Sequence, residues 1–213
     1  MNRRKQIISL VFALFLCVCF ISCGISDEDG KETSEKSFSQ DAKFVIYKID
    51  FNDNPLPDIV KEYFENDIKV YPDEECTDCT PDGITDFALY KYKSASKTLL
   101  LYKGNIYVIG EWFGGYGVTE IAIAEDAEGS YLVYNYSCGS GITSSSLGAF
   151  SFKSQRLFAA DRFFNDIVTF AIKDGRAVID KAEMTLTDNG YEFSDTGEKL
   201  GDIYSIKFSL IKG

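Results

Sequence analysis

Two cysteines three positions apart form the first group in this chain that could do chemistry. Cys76-Thr-Asp-Cys79 has the spacing of a redox pair or of half a zinc site. Zinc would need two further soft or imidazole ligands, and only Cys138 remains as a candidate. A redox pair needs a lowered thiolate pKa, which nearby acids disfavour. These acids are Asp73, Glu74, Glu75, Asp78 and Asp82. We therefore predict a structural disulfide between Cys76 and Cys79, with a bridge from either cysteine to Cys138 as the alternative.

The absence of histidine from the whole chain limits its catalytic chemistry. Ser-His-Asp and Cys-His mechanisms and histidine-bound catalytic zinc are all excluded. Ser94-Ala-Ser-Lys97 matches the Ser-x-x-Lys element of penicillin-binding enzymes, but their Ser-Asp-Asn and Lys-Thr-Gly partners are absent, so a turn is predicted. Paired carboxylates remain as catalytic groups, but 33 acidic residues make any chosen pair uninformative. No catalytic residue is predicted.

A glycine-rich loop with three aromatic residues is the candidate ligand-binding element. It reads Glu111-Trp-Phe-Gly-Gly-Tyr-Gly117 and contains Trp112, Phe113 and Tyr116. Glycine loses more backbone entropy on folding than any other residue, so such a loop is costly if its rings only fill space. Aromatic rings provide a large contact area with few rotors to immobilise. The alternative is that Trp112 and Phe113 cap the core while the glycines form a bulge.

The segment from Phe113 to Ser146 resembles a single unit of the FG-GAP or VCBS type. The resemblance rests on Phe113-Gly-Gly-Tyr-Gly117, the acidic turn Glu125-Asp-Ala-Glu-Gly129 and the strand that follows it. In that family an acidic turn between two strands often holds calcium, which implies Glu125, Asp126 and Glu128 as candidate ligands here. Ala127 and Ser130 interrupt the oxygen-rich pattern, and a hard cation wants six or more oxygens. A hairpin turn with exposed acids is the preferred interpretation, so neither metal nor cofactor is predicted.

The N-terminus has the layout of a secretory signal. Asn2-Arg-Arg-Lys5 is a basic segment, and the apolar run from Ile7 to Ile21 is shorter than a membrane-spanning helix. Phe20-Ile-Ser-Cys23 resembles the bacterial lipobox, although Leu is more usual than Phe at its first position. This resemblance implies removal of residues 1–22 and acylation of Cys23 with palmitate or a similar chain. Several acyl chains on one residue anchor a protein to a bilayer far better than a single chain.

The residues after Cys23 predict a tether and a location. Residues 24–42 are dominated by serine, glycine and charged residues, which cannot bury enough apolar surface to fold. The acidic cluster Asp27-Glu-Asp29 resembles the surface-export signal of lipoproteins in some Gram-negative phyla, and no aspartate directly follows Cys23. The resemblance implies the outer membrane of the cell envelope, with exposure on the outer face. Residues 43–213 are then predicted to form a single β-rich domain.

The remaining pattern predicts a mainly β fold, α+β at most, with an antiparallel meander or sandwich-like sheet. The chain has 13 tyrosines and 17 phenylalanines, residues that suit half-buried pleated surfaces. One short N-terminal amphipathic helix is predicted from Pro57 to Ile68, and an acidic loop from Tyr71 to Thr85. A second short helix is considered at Ala160 to Asp166. Ten strands are predicted: 43–50, 86–92, 98–102, 105–113, 118–124, 131–136, 149–152, 156–160, 167–172 and 177–186, with a further strand at 203–211.

Charge narrows the choice of partners. The formal net charge of −11 becomes −14 once Arg3, Arg4 and Lys5 are removed with the signal. An acidic chain without a basic stripe is a poor ligand for nucleic acid, and it is repelled by anionic headgroups. The sequence favours a non-catalytic binding or interaction module, held on the bilayer through Cys23, with a surface glycan or a protein as its partner. A small carboxylate-based envelope hydrolase is the alternative.

Overall fold

The computed structural model describes residues 34–67, 74–93, 97–112, 115–139, 143–187 and 190–212. The predicted signal peptide, Cys23 and the first part of the tether lie outside these residues. The strands of the described part are β1 (Glu35–Lys36), β2 (Lys43–Lys48), β3 (Cys76–Asp78), β4 (Ala88–Tyr92), β5 (Thr98–Tyr102), β6 (Asn105–Ile109), β7 (Gly115–Asp126), β8 (Gly129–Cys138), β9 (Ser144–Ser151), β10 (Arg156–Phe164), β11 (Val168–Lys173), β12 (Arg176–Thr187), β13 (Gly190–Asp202) and β14 (Phe208–Leu210). Its helices are α1 (Asp58–Asp67) and a short 3-10 helix (Ile203–Ser205).

A seven-stranded antiparallel sheet forms the centre of the domain. Its strand order is β1-β14-β10-β9-β8-β7-β2. The long hairpin of β7 and β8 lies inside it, closed by a two-residue turn at Ala127 and Glu128. The ring of Phe38 lies 5.4 Å from that of Phe44 on β2 and 5.7 Å from that of Phe208 on β14. Because β2 is at one edge of the sheet and β14 is next to the other, the sheet curls around Phe38.

Each face of this main sheet is covered by a smaller sheet. Successive side chains of a strand point to opposite faces, and β8 shows the result. Tyr131 and Val133 belong to a cluster shared with the three-stranded sheet β11-β12-β13, whereas Leu132 and Tyr134 belong to a cluster shared with the four-stranded sheet β3-β4-β5-β6. Strands buried on both faces explain why the sequence pattern is apolar throughout rather than strictly alternating.

The helix α1 packs on the four-stranded sheet. Val60 is fully buried in a third cluster with Tyr92 and Leu99. The helix lies where the apolar spacing predicted one, but its description as N-terminal is wrong, because β1 and β2 precede it. The prediction of a mainly β chain with antiparallel strands is confirmed.

Residues 34–42 belong to the domain and not to a tether. Lys36, Phe38 and Ala42 are buried, and β1 pairs with β14. The boundary predicted at residue 42 is therefore wrong, because single apolar residues within a polar segment gave no periodic signal. The hydrogen bond from Leu210 N to Ser34 O, at 2.9 Å, places the start of the described chain on the sheet.

Three further elements differ from the sequence prediction. The second helix considered at 160–166 is a continuation of β10, which runs to Phe164. The predicted acidic loop contains β3, which pairs with β4. The strand β13 was not predicted at all, because Asp195 and Gly197 interrupt its alternating pattern.

Candidate binding surface

The aromatic residues predicted to form one loop surface separate into two groups. Trp112 packs edge-on against Tyr136 and Phe163, with ring centroids 5.7 and 6.0 Å away. Tyr116 instead packs against Tyr191 and Phe193 of β13, at 4.8 and 5.6 Å. Both rings are partly exposed. Phe113 lies outside the described residues.

The two groups lie on different sides of the main sheet. Tyr136 packs against the cluster facing the four-stranded sheet, whereas Tyr191 and Phe193 belong to the three-stranded sheet on the other side. In the chain between the two aromatic residues, Gly115 N–H donates a hydrogen bond to Trp112 O, at 2.8 Å. The predicted loop therefore supplies one ring to each side.

The structure shows a β-ribbon beside Tyr116 that sequence reasoning missed. We use "the ribbon" for residues 182–187 of β12 and 190–195 of β13, which form a hairpin beyond Lys181. Met184 lies opposite Phe193 and Leu186 lies opposite Tyr191, so these four side chains share one face. Glu183, Thr185, Glu192 and Ser194 occupy the other face.

The apolar face of the ribbon is largely exposed to solvent. Leu186 is 72% exposed, Tyr191 47% and Met184 39%. None of the four apolar residues belongs to a core cluster of the described domain. The alternation Met184-Thr-Leu186 and Tyr191-Glu-Phe193 was the available sequence signal, but two apolar residues per strand are too few to distinguish a ribbon from a loop.

Tyr116 fits against the ribbon because Gly139, which lies next to its ring, has no side chain. A Cβ atom added to Gly139 would lie 1.9 Å from the hydroxyl oxygen of Tyr116 and 2.4 Å from its ring. The ring therefore occupies space that only glycine leaves free. Burial raises the pKa of Tyr116, and neighbouring Tyr191 contributes to the rise. We use "the aromatic face" for Tyr116 together with Met184, Leu186, Tyr191 and Phe193.

Three carboxylates meet where the ribbon joins the domain. Glu120 is buried and accepts a hydrogen bond from Phe170 N–H. Burial raises its pKa to about 7, with Asp195 adding to the rise and Lys48 opposing it. Asp180 is fully buried and ion-paired with Lys173, and burial together with the nearby Asp195 carboxylate raises its pKa. These acids were not predicted, because polar residues within strand patterns look solvent-exposed in a sequence.

The calcium candidates contact a lysine instead. The Nζ atom of Lys36 binds the Asp126 carboxylate and lies 2.8 Å from Glu128 Oε2. This ammonium also lies 4.5 Å from the centroid of Tyr131. Glu125 is exposed and not part of this contact. The acidic turn thus binds β1, a role that its resemblance to a calcium loop did not indicate.

The cysteines are separated rather than bridged. Cys76 and Cys79 are buried free thiols, one packed against the helix-bearing cluster and the other in the cluster beneath the main sheet. Burial raises the pKa of the Cys76 thiol to about 11 and that of Cys79 further still. The predicted local disulfide is absent from this structure, because an odd spacing along an extended strand points the two side chains to opposite faces. Cys138 lies at the far end of β8, opposite Gly115.

Lys97, the last residue of the Ser-x-x-Lys tetrapeptide, is buried in an ion-pair network. Its Nζ lies 2.9 Å from Asp67 Oδ2 and 3.2 Å from Glu111 Oε1. These acids raise the lysine pKa against the opposing effect of burial. A lysine that activates a serine needs the reverse shift, so this geometry serves α1 docking. Ser94 lies outside the described residues.

No protein-family model, curated protein or solved structure matches this chain. In the described part of the chain, no helix is long and apolar enough to cross a membrane. Within the same residues, no group of three or more cysteines or acids is arranged to hold a metal ion. The choice of a candidate site therefore depends on the contacts and exposure of this chain alone, and these single out the aromatic face.

Proposed function

We propose that this chain is a lipid-anchored protein of the cell envelope that acts as a non-catalytic binding module. The aromatic face is its binding surface. The observation that carries the proposal is the exposure of Leu186 and Tyr191 at the end of a ribbon whose inner part is fixed by Tyr116. Exposed apolar side chains grouped on one face of an element are typical of interaction sites.

The ribbon has the physical properties of a recognition element. Tyr116 packs edge-on against both Tyr191 and Phe193, so these rings lose little further freedom when a partner binds. Leu186 and Met184 extend the same face with aliphatic surface. Removing this apolar surface from water favours a complex, and the gain is partly offset by the freedom that both partners lose on association.

The carboxylates at the base of the ribbon give less support to the hydrolase alternative. Asp195 lies close enough to Asp180 to raise its pKa, as one acid raises that of its partner in some hydrolases. However, the side chain of Asp180 is fully buried and paired with the Lys173 ammonium. A carboxylate in this position neutralises a lysine and cannot reach a substrate.

The cellular location of the protein is the second part of the proposal, and it rests on the lipobox resemblance. Cys23 is the acylated residue, and the outer membrane is the favoured bilayer. Replacing Cys23 with serine should abolish the incorporation of labelled palmitate, because the acylated sulfur is lost. A matched Cys138→Ser variant should be labelled like the wild type. A wild-type chain that takes up no label would show that the proposed lipid anchoring is wrong.

The binding surface is tested by site-specific photo-cross-linking in intact cells. A photoreactive amino acid at residue 191 should give a defined cross-linked product. The same amino acid at residue 172 is the matched control, since Ile172 is 50% exposed but lies on β11, away from the ribbon. Equal yields from both positions would mean that the aromatic face has no special contact with a partner.

A further inference from the structure

The outer edge of β12 is open along the ribbon. The strand β11 pairs with β12 only as far as Val168 and Lys181, followed by one hydrogen bond from Ala182 N to Ile167 O at 2.8 Å. No other described strand pairs with this edge. Beyond Ala182, β12 is hydrogen-bonded only to β13 in the described part of the chain.

The direction of the backbone groups on this edge follows from strand geometry. In an antiparallel strand, N–H groups of alternate residues point to the same side. Because Ala182 N–H points towards β11, the N–H groups of Met184 and Leu186 point to the same open side. The N–H group of Thr185 points to β13. An open edge of this kind is a template for another strand.

The side chains next to this edge specify which strand would fit. On one face, Met184 and Leu186 would be covered by apolar residues of an added strand. On the other face, Glu183 and Thr185 of β12 and Glu192 of β13 present acidic and polar groups. Since side chains alternate between faces, a complementary strand carries apolar and basic residues in alternation.

We propose that the edge formed by Ala182 to Leu186 binds an extended, alternating apolar and basic segment of a partner protein, added as a strand beside β12. This inference rests on the proposed binding function and names its partner class. A second copy of the chain is disfavoured because both edges would bring like charges together, and the chain is acidic overall. A glycan is disfavoured because the aliphatic side chains of Leu186 and Met184 offer sugar hydroxyls no hydrogen-bonding groups.

Binding of designed peptides to the full chain tests the proposal. The chain is reconstituted in nanodiscs of zwitterionic lipid, so that basic peptides are not attracted by the bilayer, and empty nanodiscs serve as the blank. The probe is a fluorescent peptide that alternates valine and lysine. Its length of about ten residues is at the upper end of the usual range for strands. Two peptides of the same length are the controls. One alternates valine and glutamate, and the other has the same valines and lysines grouped into one block of each.

The alternating basic peptide should bind at least tenfold more tightly than either matched peptide. Its binding should slow amide hydrogen exchange at Met184 and Leu186 but leave Thr185, already paired with β13, unchanged. Leu186→Pro should weaken binding more than Leu186→Ala, because only proline removes the outward N–H group. Equal binding of the block peptide, unchanged exchange, or equal effects of the two substitutions would overturn strand addition.

The result is separable from that of the proposed function. If residue 191 cross-links specifically but the alternating peptide does not bind, strand addition is wrong and the binding module remains. A cross-linked product that consists of two copies of this chain, or that is a glycan, also overturns the inference. If residue 191 gives no specific product and the peptide does not bind, both proposals fail.

Discussion

Two buried polar side chains of the main sheet hold the edge of β11. The amide of Asn135 donates a hydrogen bond to Val168 O, and the Glu120 carboxylate accepts one from Phe170 N–H. The Oδ1 atom of Asn135 also accepts bonds from Thr119 and Glu120 N–H, at 3.3 and 2.8 Å. The edge of β11 has no partner strand in the described part of the chain. The first two bonds satisfy Val168 O and Phe170 N–H at this edge, and these backbone groups would otherwise be costly to bury.

Glu120 makes the stability of the domain depend on pH. Its folded pKa of about 7 exceeds the usual 4.5, so the folded protein holds this proton more tightly than the unfolded chain does. The stability contributed by this group is therefore full below pH 4.5 and is lost as the pH rises towards 7. The whole shift corresponds to about 3 kcal/mol.

Glu120→Gln should remove most of this dependence, because the neutral amide oxygen can still accept from Phe170 N–H. Urea unfolding at pH 5 and pH 8 measures the effect. Relative to the wild type, the variant should gain about 2.5 kcal/mol between the two pH values, since part of the shift lies below pH 5. Glu125→Gln, at an exposed position on the same strand, is the control and should change nothing. If the unfolding free energy of Glu120→Gln changes between pH 5 and pH 8 as much as those of the wild type and Glu125→Gln, Glu120 is not the source of the pH dependence.

At the scale of single elements, the short strand β1 is held by one side chain. The Lys36 ammonium is buried between Asp126, Glu128 and the Tyr131 ring. Truncating one partner of a buried pair leaves the other charge uncompensated. The turn between β7 and β8 thus provides the charges that attach the start of the domain.

Lys36→Ala should therefore destabilise the domain by about 3 kcal/mol and expose residues 34–42 to protease. Denaturant unfolding measures the first effect, and early cleavage by chymotrypsin after Phe38 measures the second. Lys43→Ala removes an exposed lysine from the neighbouring strand and should have little effect. If the two variants behave alike, Lys36 does not hold β1 in place.

The elements that the sequence predicted well are those buried on both faces. The strand β5 was predicted at the residues where it occurs, because Thr98-Leu-Leu-Leu-Tyr102 is uniformly suited to a strand. In contrast, β13 combines Tyr191 and Phe193 with Asp195 and Gly197, and its pairing is set by β12 rather than by its own pattern. The candidate site was missed for the same reason. Tyr116 was identified from the glycine loop, but its neighbours come from a strand about 75 residues further along the chain, and only tertiary pairing brings them together.

At the scale of the whole molecule, stability and recognition are carried by different parts. The three apolar clusters lie between the main sheet, the two smaller sheets and α1. The ribbon adds no side chain to any of these clusters in the described structure. A partner can therefore bind the ribbon without disturbing the packing between the layered sheets.

Removal of the ribbon tests this division directly. Glu183 and Ser194 lie opposite each other, and Glu183 N–H points towards β13, so replacing residues 184–193 with Asn-Gly would close β12 and β13 with a two-residue turn. We expect the free energy of unfolding to change by less than about 1 kcal/mol, because the described side chains that are removed are exposed or half-buried and belong to no core cluster of the domain. Leu132→Ala, in the buried cluster beneath the main sheet, should by comparison cost about 2–5 kcal/mol.

Urea denaturation compares the three chains, and cross-linking from residue 116 then reports whether the shortened chain has lost its partner. A shortened chain as unstable as Leu132→Ala would show that the ribbon is part of the folding unit, and its exposed aromatic face would then need a structural explanation.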